Sequence, residues 1–240
     1  MSILVAQVRA ELRLLARNGE QLLLTLGIPV LLLLFFSAVD VLPTGGETAV
    51  DFLAPGVLAL AVMSTAMVGL GIATGFERSY GVLKRLGATP LGRGRLVLAK
   101  VATVLVVELV QLVVLGLVAA ARGWRPGGGW ALAIVPVVLG TAAFAGIGLT
   151  LAGRLPGTLN LAAANGLYLV LLLLGGMVVS LAKLPGWLRR LAKALPSGAL
   201  SEALRGAFGA AHHVPAWSLA VLIVWAVLAP AAAALTFRWE

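Results

Sequence analysis

Six apolar stretches, at 21–39, 52–75, 101–121, 130–152, 161–181 and 217–237, constrain this chain more than any other feature. Each offers close to the roughly 20 mostly apolar residues that an α-helix needs to cross about 30 Å of hydrocarbon. Hydrocarbon supplies no hydrogen-bond partner, so an open backbone is forbidden there. None of the stretches shows the sustained alternation of a membrane β-barrel strand. With 61% hydrophobic and 11% charged residues among 240, the chain carries more apolar surface than a soluble core of this size hides. The sequence predicts an all-α integral membrane protein with six transmembrane helices, a single domain over 1–240.

Orientation follows from basic residues near the span ends, which resist translocation. With both termini cytoplasmic, the inner side carries Arg9, Arg13, Arg17, Arg78, Lys84, Arg85, Arg93, Arg95, Lys100, Arg154 and Arg238. The outer side carries Arg122, Arg125, Lys183, Arg189, Arg190, Lys193 and Arg205. The eleven-to-seven bias favours ends inside. Arg9, Arg13 and Arg17 before the first stretch resemble a signal-peptide lead, but Pro29 and the lack of a small-residue cleavage site in FFSAVD favour a retained span. The net charge of +9 is dealt out among short loops at both surfaces, whereas nucleic-acid binding gathers charge on one accessible face. Arginine outnumbers lysine fourteen to four, and with the abundance of Ala, Gly, Val and Leu this points to a GC-rich bacterial genome and a bacterial inner membrane.

Catalytic chemistry finds no support. The absence of cysteine excludes disulfides, thiolate metal sites and cysteine nucleophiles. No Gly-Lys pair occurs, so the phosphate loop G-x-x-x-x-G-K-[ST] is missing, and with it any nucleotide site of that type. G-x-S-x-G is missing too. His212 and His213 lie together without a carboxylate nearby, which leaves no metal-ligand spacing. Gly69, Gly71 and Gly75, Gly140, Gly146 and Gly148, and the Gly175–Gly176 pair read as places where helices approach closely. The expected catalytic residues, metals and cofactors of this chain are none. One acid stands well inside a span: Glu108, with Gln111 one turn further along nearly the same face. A carboxylate in lipid costs about 2.5–3.5 kcal/mol on insertion scales, so its retention asks for a reason. Glu108 and Gln111 are candidates for a translocation path, the structural alternative being a hydrogen bond that holds two helices together.

Three segments are amphipathic but too short to span. Near the N-terminus, Leu4, Val8, Leu12 and Leu15 share one helical face and Arg9, Arg13 and Arg17 the other, which suits a helix over 1–20 lying on the inner leaflet against membrane lipid. Over 182–215, GWLRRLAKALP and the following Leu200, Leu204 and Phe208, with Glu202 and Arg205 facing away, form two short helices punctuated by Pro185, Pro196 and Pro215. They suit a short extracellular re-entrant helix pair.

Between the second and third stretches, Phe76 to Lys100 packs six of the eighteen basic residues into a soluble-looking helix and turn. Its run E-R-x-x-G-x-L-x-R-L-x-A-T-P-L, with Glu77, Arg78, Gly81, Leu83, Arg85, Leu86, Ala88, Thr89, Pro90 and Leu91, resembles the permeases of the ABC type-2 transporter family. So do the amphipathic N-terminal helix, Pro29 early in the first span, and LPSGALSEALRGAF before the last. The basic outer segment from Lys183 to Lys193 departs from that pattern. The resemblance implies that 76–100 is a cytoplasmic coupling loop whose helix docks on a separate ATPase. Glu77, Arg78, Gly81, Leu83, Lys84, Arg85, Leu86, Thr89 and Pro90 would then form the docking surface, with Arg78, Lys84 and Arg85 for ion pairs and Leu83 and Leu86 as apolar anchors. It implies two ABC ATPase subunits binding ATP and Mg, a second permease subunit, and export of a hydrophobic or amphiphilic substrate such as a drug, antibiotic or lipid. A proton-coupled secondary transporter using Glu108 and a membrane anchor for a soluble complex are the other readings.

Overall fold

Where water cannot reach the backbone, each segment must satisfy its own amides, and the helix does so residue by residue. The computed structural model describes residues 3–17, 19, 23–38, 48–87, 92–126, 129–210 and 212–237, and every regular element among them is helical. Five helices have the length and apolar character of a membrane span: α3 (Ala49–Ser79), α5 (Gly92–Ala121, apolar from Gly94), α6 (Trp130–Arg154), α7 (Gly157–Leu174) and α10 (Ala216–Thr236). The expected first span is represented by α2 (Ile28–Ala38), which continues a π-helical turn at Leu23–Gly27. The apolar run there, Thr25–Ala38, is shorter than the other five and covers about 21 Å of helix axis. The flanking residues of the predicted 21–39 stretch lie outside the described residues.

The amphipathic N-terminal segment is α1 (Ile3–Arg17). Leu4, Val8, Leu12 and Leu15 are half-buried, with Gln7 and Glu11, and Arg9, Arg13 and Arg17 are exposed, the two faces expected from their spacing. α1 packs on α5.

α3 is the central helix: from Phe52 to Met63 every residue is buried. Thr48 caps its start, the hydroxyl accepting from the Asp51 amide at 3.3 Å. A π-helical turn, Ser64–Gly69, interrupts it midway. α6 crosses α3 where Gly71 meets Gly148, and a Cβ on Gly71 would stand 3.0 Å from the Gly148 Cα. Small residues thus bring the two backbones together, as the glycine spacing predicts. α10 runs along α6, and a side chain at Gly146 would overlap the backbone at Pro230. Gly69 faces only its own turn and makes no such crossing.

The fifth span ends earlier than the apolar run suggests. α7 stops at Leu174, Gly175 caps it, and Gly176 adopts φ +67°, a conformation that favours glycine and turns the chain away. After a short 3-10 turn come α8 (Gly186–Ala194) and α9 (Pro196–Phe208). α8 buries only Ala192, whereas α9 is buried along most of its length and packs against α3, α6 and α10. Arg205 does not face away from the protein as the helical pattern implies. It turns inward because three main-chain carbonyls converge on it.

Candidate functional site

The charged segment that follows α3 turns within a few residues. α3 ends at Ser79, Gly81 takes φ +70° in the turn, and α4 (Val82–Gly87) follows. Lys100, only 4% exposed, is held between two carboxylates, Glu77 at 2.7 Å and Glu11 at 3.2 Å. One ammonium therefore joins α1, α3 and α5. Arg78 donates to the carbonyls of Gly153 at 3.1 Å and Leu155 at 2.6 Å, satisfying acceptors that the end of α6 leaves open. Leu83, 1% exposed, packs on Leu96, with Leu86 and Phe237 completing a small cluster.

The residues predicted to form one docking surface thus divide. Glu77, Arg78 and Leu83 face the protein's own interior, and Gly81 supplies the turn. Lys84 and Arg85 are exposed and Leu86 is half-buried; Tyr80, outside the predicted set, is exposed beside them. Thr89 and Pro90 lie outside the described residues.

Glu108 and Gln111 are both 1% exposed and serve different neighbours. Gln111 accepts from the Thr65 hydroxyl at 2.7 Å and donates to the Thr25 carbonyl at 2.8 Å, so it links α5 to the π-helical turns of α3 and the first apolar helix. We expect Gln111→Leu to lower stability by about 1–2 kcal/mol, since it leaves both partners without their hydrogen bond. Denaturant titration of the purified protein in detergent measures this, and an unchanged midpoint would contradict the linking role. Glu108 instead lies against α6, its Oε2 accepting from the Thr141 hydroxyl at 2.5 Å, while Oε1 is buried with no hydrogen-bond partner. It also forms part of the wall of an apolar cavity of about 860 Å³ bounded by α3, α5, α6 and α9. Gln111 does not line that cavity.

A family model described as ABC-2 type transporter matches residues 4–208. The chain belongs to the ABC-2 type transporter family. No curated protein matches it. This ABC-2 protein is accordingly a multi-pass membrane permease component of an ABC transporter.

One feature of the permease escapes pattern reading. Arg205 donates to the carbonyls of Phe52 at 2.6 Å, Gly176 at 2.7 Å and Met177 at 3.3 Å, and its guanidinium lies 3.9 Å from the Phe52 ring centroid. The guanidinium fork suits this role, since it presents several donors in a fixed plane. In the sequence, the only signal is an arginine that, Glu202 apart, stands on a helix built of small and apolar residues.

Proposed function

We propose that this chain is the membrane-spanning permease subunit of an ABC exporter in a bacterial inner membrane, carrying a hydrophobic or amphiphilic substrate. Its energy comes from two separate ABC ATPase subunits that bind ATP and Mg, and a second permease, identical or related, completes the path. Both termini and the 76–100 segment face the cytoplasm. The family match supports the division between path and engine, and a sequence without a phosphate loop agrees with it. The observation that carries the reading is the basic segment itself. α4 presents Lys84 and Arg85 outward while Glu77, Arg78 and Leu83 root it in α1, α5 and α6. A segment exposed at its tip and anchored at its base transmits displacement into the spans, as hinge and shear transitions require.

The anchoring changes which substitutions test docking. Leu83→Asp would bury a charge in the Leu83–Leu96 cluster and damage the segment itself. Charge reversal at the exposed positions is the cleaner probe. We expect Lys84→Glu combined with Arg85→Glu to abolish co-purification with the cognate ATPase and stimulation of its activity in lipid, while the permease keeps its elution volume and thermal transition. Normal complex formation by that double variant would remove the docking assignment.

A further inference from the structure

The cavity bounded by α3, α5, α6 and α9 is apolar except at one point. Among the described residues that line it, Glu108 is the only ionisable one. Its Oε2 is engaged by Thr141, whose hydroxyl also lies 2.9 Å from the Val137 carbonyl, and one hydroxyl hydrogen serves a single acceptor at a time. Oε1 has no donor at all. Buried polar groups are normally paired, and an orphan calls for an explanation.

Two further features narrow what could meet it. The cavity opens sideways between the outward faces of α5 and α6, where Leu109, Val113 and Ile134 are more than half exposed. This mouth is apolar, and a molecule dissolved in the membrane enters it without crossing water. At the other end stand Trp124, Trp130 and Phe208, three rings in edge-to-face contact with centroids 4.9–5.9 Å apart. The Trp130 ring lies against Gly116, about two turns along α5 from Glu108, or about 12 Å of helix axis. Oε1 has almost no accessible surface, so an occupant would meet the charge of Glu108 across the wall: a purely apolar one would leave that charge uncompensated, and an anion would be repelled by it. A proton would satisfy the carboxylate but fill none of the space. A bulky organic cation offsets the charge and fills the space, and aromatic faces favour it over a neutral body.

We propose that this cavity binds lipophilic organic cations, with Glu108 as their counter-charge and the Trp124, Trp130 and Phe208 cluster seating the apolar body. This deepens the transport reading by giving its cargo a sign of charge, and binding is measurable on the permease alone.

Tetraphenylphosphonium and tetraphenylborate test it, because they match in size and apolar surface and differ in charge. Equilibrium dialysis against the purified full-length protein in detergent should show saturable binding of the phosphonium, weakened at least about tenfold by Glu108→Gln. The borate should bind the Glu108→Gln variant better than the wild type. Leu109→Trp, at an exposed position on the cavity wall, should weaken binding of the phosphonium while leaving Glu108 in place. Wild-type affinity for the phosphonium in either variant, or equal affinity of the wild type for both ions, overturns the proposal. If the phosphonium binds as expected but no ATPase associates with the permease, the cavity stands and the transport reading falls.

Discussion

Lys100→Met will destabilise the permease by about 3 kcal/mol, the low end for breaking a buried ion pair because one carboxylate is partly exposed. The lysine is 4% exposed and holds Glu77 and Glu11, which are 29% and 16% exposed. Removing the cation leaves two acids facing each other in a poorly hydrated place, so the loss exceeds that of one hydrogen bond. Glu77→Gln alone should cost less, since Lys100 keeps Glu11. Combining it with Lys100→Met should recover part of the loss by removing one of the stranded charges, a non-additivity that a double-mutant cycle reads directly. Denaturant titration in detergent provides the four stabilities. Strict additivity, or a wild-type midpoint for Lys100→Met, would show that the cluster does not join the helices.

Arg205→Met should cost about 3 kcal/mol, from hydrogen bonds of a charged donor to the carbonyls of Phe52, Gly176 and Met177. The substitution keeps the length and apolar stem of the side chain, so packing changes little while donors vanish. Arg205→Lys should restore less than half, because a single ammonium cannot address carbonyls on two separate segments as a planar fork does. Both are read by the same titration. The expected pattern differs from that of a surface arginine, for which either replacement would be nearly silent. A stable Arg205→Met protein would mean that α9 is held by its apolar contacts alone.

How far residues disclose this molecule depends on the range of the interaction involved. Span positions are legible because they follow from local hydropathy and a fixed rise per residue, and α3, α5, α6, α7 and α10 fall on five of the six predicted stretches. The amphipathic faces of α1 are legible for the same reason. Glycine crossings are legible as a class, though which glycine meets which backbone is not: Gly71 and Gly148 meet each other while Gly69 meets nothing tight. The end of α7 is misjudged because Leu181 continues the apolar run beyond the glycines that actually turn the chain. Leu83 looks like a surface anchor on a short helix until Leu96, from the next element, covers it. Arg205 is the clearest case. Its partners come from Phe52 and from Gly176 and Met177, and no local pattern announces carbonyls contributed by distant turns.

The Leu83–Leu96 cluster has a consequence for how motion would spread. Phe237, at the far end of the chain, packs on it, and Glu11, near the beginning, meets Lys100 on the same helix as Leu96. Tugging on α4 therefore pulls on the first helix and the last together. Fluorescent reporters on α1 and beside Phe237 would then register the same event, and α4 would serve as a shared handle for both segments.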